Sequence, residues 1–129
     1  MGGGFIGGWL GRRIFIRPKE GEHLGIQTVG FAAFAAALKA TASMSAFAAS
    51  KSAVLRLTES LADELKAHGI RANCVLPSTI DTPQNRTAMP KADMRKWVTP
   101  TQVAEVVAFL IADASSGVNG AAIPVIGRG

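Results

Sequence analysis

The chain has 129 residues, of which 48% are hydrophobic and 18% are charged, and its net charge is +5. This length and balance predict one globular domain with a single core and exclude an intrinsically disordered chain. The basic residues are spread along the chain and tyrosine is absent. Since aromatic and basic positions do not alternate, we expect a solvated basic surface and no nucleic-acid binding.

Cysteine content and hydropathy indicate the cellular compartment in which the protein is expected. The single cysteine, Cys74, lies between apolar neighbours, which excludes an internal disulfide and predicts a buried thiol on a strand. No apolar run approaches the ~20 residues of a membrane span. The glycine-rich start also lacks the positive residues that precede the apolar run of a signal peptide. We therefore expect a soluble, cytoplasmic protein without a membrane partner, and we assign no metal site.

The first part of the chain differs in composition from the rest. Residues 1–23 are rich in glycine and basic side chains, which predicts a separate N-terminal segment ahead of a domain at residues 24–129. Within this segment, residues 17–23 (RPKEGEH) are typical of a loop. Residues 24–30 (LGIQTVG) are typical of a short buried strand that ends at a glycine. The alanine-rich stretch that follows, up to Ala42, has no decisive pattern.

The next segment has the pattern of an amphipathic helix, with Ser43 or Ser45 as its N-cap. Its apolar stripe recurs at spacings of three and four and consists of Val54, Leu57, Leu61 and Leu65. Gly69 follows at the place where a left-handed residue ends a helix. Residues 70–77 (IRANCVLP) then predict a short strand that a proline stops.

The last third completes an alternating pattern. Residues 78–97 are polar with two internal prolines, which predicts a long loop of the kind that acts as a lid or a binding loop. Thr99 as cap and Pro100 at the first position predict another helix, and residues 120–127 a final strand. Such alternation is typical of an α/β fold with a parallel sheet, whose ligands bind beyond the carboxyl ends of the strands. The loop after residue 77 is therefore the first candidate site.

From Ser45 onward the sequence resembles the carboxyl-terminal half of a short-chain dehydrogenase/reductase. The resemblance rests on an ordered set of motifs: FAASK where the family has Tyr-x-x-x-Lys, then HGIRANCVLP, PSTIDTP where it has Pro-Gly-x-x-x-Thr, and the final strand GAAIPVIG. It implies a truncated Rossmann-like fold, an α/β doubly wound parallel sheet with flanking helices. The stretch between Gly7 and Phe47 is too short for several βαβ units of about 30 residues. We therefore expect most of the cofactor-binding half to be missing.

The resemblance implies catalytic roles for two positions on the first helix. In the family a tyrosine hydroxyl is the general acid/base, and a lysine one turn later lowers its pKa and holds the nicotinamide ribose. Lys51 is in place, but Phe47 occupies the tyrosine position and cannot transfer a proton. The family's catalytic serine would fall near Phe34, in a run without serine or threonine. Both hydroxyl positions therefore lack a hydroxyl.

The resemblance also implies binding of NAD or NADP, between which the sequence does not distinguish. Lys51 would contact the ribose, while Pro77, Ile80 and Thr82 correspond to the loop that contacts the nicotinamide amide and a nearby phosphate. In that loop Ser78 replaces the usual glycine.

A second set of cofactor residues lies at the start of the chain. Gly4 and Gly7 resemble the last two glycines of a Gly-x-x-Gly-Phe-Ile-Gly turn, which cradles a pyrophosphate in extended members of the superfamily. The strand that should precede this turn is absent from the sequence. A flexible terminus is the alternative interpretation.

Taken together, the resemblance implies an oxidoreductase that passes hydride between NAD or NADP and a small carbonyl or alcohol, impaired by Phe47. The alternative is a catalytically silent member of the same fold that acts as a homo-oligomer. Its contact would be the helix at residues 45–68, where small side chains permit close approach: Ala46, Ala49, Ser52 and Ala53. A third alternative is a fragment without function that folds marginally.

Overall fold

The computed structural model of the chain describes residues 15–16, 27–31 and 42–127. The strands are β1 (Phe15–Ile16), β2 (Gln27–Phe31), β3 (Arg71–Pro77) and β4 (Ala122–Val125). The helices are α1 (Ser45–Leu65), α2 (Pro83–Ala88) and α3 (Pro100–Ile111). Single 3-10 turns follow at Lys66–His68, Met94–Lys96 and Asp113–Ser115.

The four strands form one sheet in the order β1-β2-β3-β4. β2, β3 and β4 are parallel, with Val29 opposite Asn73 and Val75 opposite Ile123. The predicted parallel α/β sheet is therefore confirmed. β1 pairs with β2 in the antiparallel direction, and the sequence pattern did not predict this strand at Phe15–Ile16. The predicted strand at residues 24–30 is observed at Gln27–Phe31.

Helices cover both faces of β3, because successive side chains of a strand point to opposite sides. Cys74 and Leu76 are fully buried in a cluster with Val54 and Leu55 of α1. Val75 faces the other way, and its cluster comprises Val98, Val103, Leu110 and Val125. α1 and α3 thus lie on opposite faces, which is the doubly wound arrangement.

The start of α1 differs from the prediction. Neither Ser43 nor Ser45 caps it: Met44 is the N-cap residue, without a side-chain hydrogen bond. Ser43 lies just before it in the left-handed region, with a φ of 65°, where its side chain cannot act as a cap for this helix. The far end is as predicted, because Gly69 adopts a φ of 71° and donates its N–H to the Lys66 carbonyl.

The other two helices both begin at a proline. The predicted start of α3 is confirmed: Thr99 accepts from the Gln102 N–H, and the Gln102 side chain accepts from the Thr99 N–H, which completes a capping box. The prediction of a loop over residues 78–97 is wrong in part. Thr82 caps α2 by accepting from the Asn85 N–H, and a 3-10 turn follows at Met94–Lys96.

Candidate functional site

The direction of α1 places its first turns at the carboxyl end of the sheet. Near its other end, the Ala62 carbonyl accepts from Asn119 Nδ2 at 3.0 Å, and Asn119 Oδ1 accepts from the Ala72 N–H at 2.9 Å. The end of α1 therefore lies beside the start of β3, and its beginning lies toward the end of β3. This is the edge at which parallel sheets bind ligands.

Lys51 and Phe47 lie one helical turn apart on these first turns. The Lys51 ammonium sits 5.4 Å from the centre of the Phe47 ring, a distance at which a cation is attracted to the ring face. Phe47 is 36% exposed and Lys51 is half-buried. Phe47 therefore does not pack in the core within one chain. The ring holds the ammonium without offering a proton.

Pro77 and Ser78 form the junction between β3 and the following segment. Pro77 is buried at the last position of β3, opposite Val125, and the Ser78 N–H donates to the Val125 carbonyl at 3.0 Å. Ser78 does not adopt a positive φ, so a side chain is accommodated there without backbone strain. The departure from the family's glycine is structurally mild.

Ile80 and Thr82 are both held by Asn85, a residue that the sequence pattern did not indicate. Asn85 donates its Nδ2 to the Ile80 carbonyl at 2.7 Å and its backbone N–H to Thr82 Oγ1 at 3.2 Å. The hydroxyl oxygen of Thr82 is thus engaged as a helix cap. A Thr-Pro pair followed by asparagine near the loop start is the signal that could have predicted this cap.

Backbone hydrogen bonds join the two ends of the segment from Asp81 to Trp97. Val98 is fully buried, donates its N–H to the Thr79 carbonyl and accepts from the Asp81 N–H at 2.7 Å. Asp81 also pairs with Arg86 through two bonds of 2.6 and 2.7 Å, which holds α2 against the strand end. The hydrogen bond from Arg86 lowers the pKa of Asp81 below its ordinary value. α2 therefore stands in a defined place above the carboxyl edge.

Cys74 and a surface groove are the other chemical features to consider. Burial raises the pKa of the Cys74 thiol, so it packs as the predicted buried strand residue and is no nucleophile. A shallow groove of about 530 Å³ is lined by α3 and by residues 124–127. It lies on the α3 side, whereas Lys51 stands on α1 across the sheet, so the groove belongs to a different surface.

Several features concern only part of the chain. Gly4, Gly7 and Phe34 lie outside the described residues. Within the described ranges, histidine, cysteine and carboxylate side chains form no cluster that could hold a metal ion. No helix among the same residues is both long and apolar enough to cross a membrane.

Comparison with known proteins identifies the family. A family model described as enoyl-(acyl carrier protein) reductase matches residues 25–127, which is most of the chain. A curated relative, the 2-(R)-hydroxypropyl-CoM dehydrogenase of Xanthobacter autotrophicus, is 37% identical over 102 residues, covering 71% of this chain and 41% of that protein. The chain belongs to the short-chain dehydrogenase/reductase family.

Solved structures agree with the sequence comparison. A short-chain type dehydrogenase/reductase from Mycobacterium ulcerans has a TM-score of 0.71 and 30% identity, and the match covers 78% of this chain and 40% of that one. A short-chain dehydrogenase from Mycobacterium paratuberculosis bound to NAD has a TM-score of 0.65 and 29% identity, covering 79% of this chain and 44% of that one. The chain thus spans less than half the length of these relatives.

Proposed function

We propose that this chain forms the nicotinamide-binding edge of a short-chain oxidoreductase, which passes hydride between NAD or NADP and a small carbonyl or alcohol. The observation that carries the proposal is the position of Lys51 on the first turns of α1, at the sheet edge where β3 ends. The NAD-bound relative from Mycobacterium paratuberculosis, with the same fold, supports a nicotinamide cofactor. In this proposal residues 24–129 form the family domain and residues 1–23 precede it.

Lys51 supplies the positive charge of the proposed site. Its ammonium has three donors, and the Phe47 ring keeps it near the helix surface at 5.4 Å from the ring centre. A half-buried ammonium at a sheet edge suits the hydroxyls of a ribose, which accept hydrogen bonds. The bound cofactor would supply the hydride, while Lys51 orients the ribose.

The segment after β3 provides a fixed backbone for the nicotinamide end. Pro77 is buried, and Ile80 and Thr82 are held by Asn85 as described above. A backbone that is fixed before binding loses less conformational freedom when a ligand arrives. Pro77, Ile80 and Thr82 therefore fit the role of a preformed wall beside the nicotinamide amide.

Proton transfer is the weak step of the proposed reaction. Phe47 stands where a hydroxyl would donate to or accept from the substrate oxygen, and a phenyl ring has no exchangeable proton. Loss of a positioned acid/base costs a factor of about 10²–10⁴ in rate. Water must then exchange the proton, so we propose an oxidoreductase with impaired turnover.

Cofactor binding is tested by the thermal melt of the full chain with and without millimolar NADH or NADPH. Binding to the native state alone raises the melting temperature, so we expect an upward shift. Lys51→Ala should abolish the shift, whereas Lys51→Arg, which keeps the charge, should retain part of it. An unchanged melt of the wild-type chain in both cofactors refutes the proposal.

The missing hydroxyl is tested by Phe47→Tyr with NADH and a panel of aldehydes and ketones. If the pocket is otherwise complete, cofactor oxidation should rise by about 10²-fold, because a positioned acid/base is restored. Phe47→Leu is the matched control, since it changes the ring without adding a proton donor. Equal rates for the two variants would show that Phe47 is not at a reacting position.

The exposed face of α1 supports a second candidate, a catalytically silent homo-oligomer. Phe47 is 36% exposed, and Ala46, Ala49 and Ala53 are exposed beside it. Small side chains permit close helix approach, and the ring would be buried between copies. Light scattering should then give a dimer that Ala49→Arg dissociates and Ala104→Arg, on exposed α3 surface, does not. A monomeric wild-type chain contradicts this candidate.

A further inference from the structure

The chain has three asparagines, Asn73, Asn85 and Asn119, and only Asn119 is followed by glycine. Glycine has no Cβ, so its amide nitrogen can approach the side-chain carbonyl of a preceding asparagine more freely than that of any other residue. This pair is therefore the most susceptible place in the chain for asparagine to react with its own backbone, and asparagine is among the thermolabile residues.

In the folded chain both reacting groups are held by hydrogen bonds. The Gly120 N–H donates to the Ala72 carbonyl at 2.8 Å. The Asn119 side chain accepts from the Ala72 N–H at 2.9 Å and donates to the Ala62 carbonyl at 3.0 Å. The nucleophile is thus bound to the Ala72 carbonyl, and the electrophile is bound to the Ala72 N–H and the Ala62 carbonyl. Neither can reach the other until these bonds open.

The conformation of this turn favours glycine at position 120, which is also the residue that makes Asn119 reactive. Gly120 has a φ of 71°, and a Cβ built there would lie 3.3 Å from the Cβ of Ala62. Any other residue would combine left-handed strain with a close contact against α1. Glycine is therefore favoured at this position, and the reactivity of the Asn-Gly pair accompanies it.

We propose that Asn119 is a site of spontaneous deamidation. The rate of this reaction is controlled by local opening of the turn at residues 116–121. In the opened turn the Gly120 nitrogen gives up its proton to solvent base and attacks Cγ of Asn119. The side-chain nitrogen leaves as ammonia, and a five-membered succinimide forms. Water then opens the ring to aspartate or isoaspartate. Asn119 is solvent-exposed, so water reaches it directly.

The product cannot restore the contacts of the amide. A carboxylate has no proton for the Ala62 carbonyl, and it would carry a negative charge near the carbonyl end of α1, where the helix dipole disfavours one. Isoaspartate also lengthens the backbone by one carbon, which displaces the Gly120 bond to Ala72. Deamidation therefore weakens the joint between α1, β3 and β4.

The first experiment follows deamidation of the purified full chain in mildly alkaline buffer, with and without concentrated urea. Peptide mapping with isoaspartate detection locates the product, and Asn73 and Asn85 are internal controls in the same sample. We expect reaction at Asn119 ahead of both controls, at least about tenfold faster in urea because the folded chain must first open locally. Equal rates with and without urea, or no reaction at Asn119 in urea, overturn the proposal.

The second experiment measures the consequence. Deamidation adds one negative charge and lowers the net charge of the chain by one, so ion exchange separates the aged chain from the unmodified chain. Its melting temperature should be lower, and Asn119→Asp should show the same decrease while Asn119→Gln does not deamidate at the same rate. If Asn119→Asp does not fold, the separated aged fraction still provides the comparison. An unchanged melting temperature of that fraction refutes the weakened joint.

Discussion

The two faces of β3 use their polar groups in different ways. On the α3 face, Arg71 donates to the carbonyls of Leu110 and Val118 and to Ser115 Oγ, and Asn73 joins Val118 to Ala121. On the α1 face, the strand contributes Cys74 and Leu76, which are apolar and fully buried. Its helix buries one polar side chain, Thr58, whose hydroxyl donates to the Val54 carbonyl of the same helix. The charged groups of this helix lie at or near the surface, with Lys51 against Phe47.

This difference indicates that the α3 face contributes mainly to stability and that the start of α1 contributes to ligand binding. The α3 face engages its charged and amide groups in bonds across long sequence separations, which fix the end of α3 and the turn before β4. A charge so engaged is not available to a ligand. The first turns of α1 leave an ammonium at the edge where ligands bind. We therefore expect substitutions on the α3 face to change unfolding, and substitutions near Lys51 to change binding.

The largest effect on stability is expected for Leu110→Ala. Leu110 is fully buried in the α3-face cluster, and truncation of such a leucine costs about 3 kcal/mol in the free energy of unfolding. Its neighbour Phe109 is 46% exposed, so Phe109→Ala should cost about 1 kcal/mol or less. Urea denaturation of both variants measures the two losses in the free energy of unfolding. Equal losses would mean that the cluster is less tightly packed than its burial indicates.

Arg71→Met tests the polar network of the same face. The substitution removes three hydrogen bonds of the guanidinium, which costs about 2 kcal/mol. The two carbonyls keep one donor each, Asn73 Nδ2 at Val118 and Ser115 Oγ at Leu110. Arg95→Met is the control, because the Arg95 side chain is 90% exposed in its pair with Asp93 and should change stability by less than about 0.5 kcal/mol. Comparable effects of the two variants in urea denaturation would contradict a structural role for Arg71.

The sequence predicted those features that depend on local pattern. The helix start at Thr99-Pro100, the end of α1 at Gly69 and the buried strand thiol at Cys74 all follow from side chains within a few residues, and all are confirmed. The alternation of strands and helices likewise predicted the parallel sheet. Lys51 was identified through the resemblance of FAASK to the family's Tyr-x-x-x-Lys motif, whose two residues share a helix face.

The features that the sequence did not predict depend on distant partners or on backbone conformation. Arg71 bonds to carbonyls 39 and 47 positions away, and no local pattern indicates which carbonyls these will be. The antiparallel strand β1 depends on a pairing edge offered by β2. Ser43 has the composition of a cap, yet its φ of 65° removes it from the helix start. Short polar residues favour caps and left-handed positions alike, so composition alone cannot separate the two.

Ser43→Gly is expected to stabilise the chain at the start of α1. Left-handed backbone costs a non-glycine residue about 1 kcal/mol, and glycine removes that cost, although it gains freedom in the unfolded chain. A net rise below about 1 kcal/mol is therefore expected. Ser43→Ala keeps the strained backbone and should give no rise. The unfolding free energy of both variants in urea decides, and a gain for alanine equal to that for glycine would contradict the role of strain.

The smallest effect is expected for the ion pair between Asp81 and Arg86, which lies beyond the carboxyl end of β3 and so beside both faces of the sheet. Its hydrogen bond lowers the pKa of Asp81 below the ordinary 3.8, so the folded chain binds the proton less readily than the unfolded chain. The contribution of the pair is therefore present above that ordinary value and disappears as the pH falls through the lowered pKa. Both groups lie at the surface, so the change should be local to α2.

Amide exchange of α2 residues in wild-type chain and Asp81→Asn measures this contribution. At neutral pH the variant should exchange faster, because the bond that holds Arg86 is weakened. In acid below the lowered pKa the two chains should exchange alike, since protonated Asp81 no longer carries the charge. Asp93→Asn removes another surface pair with Arg95 and should leave α2 unchanged. A difference at Asp81 that persists undiminished in acid would show that packing, and not the charge, holds α2 over the carboxyl edge.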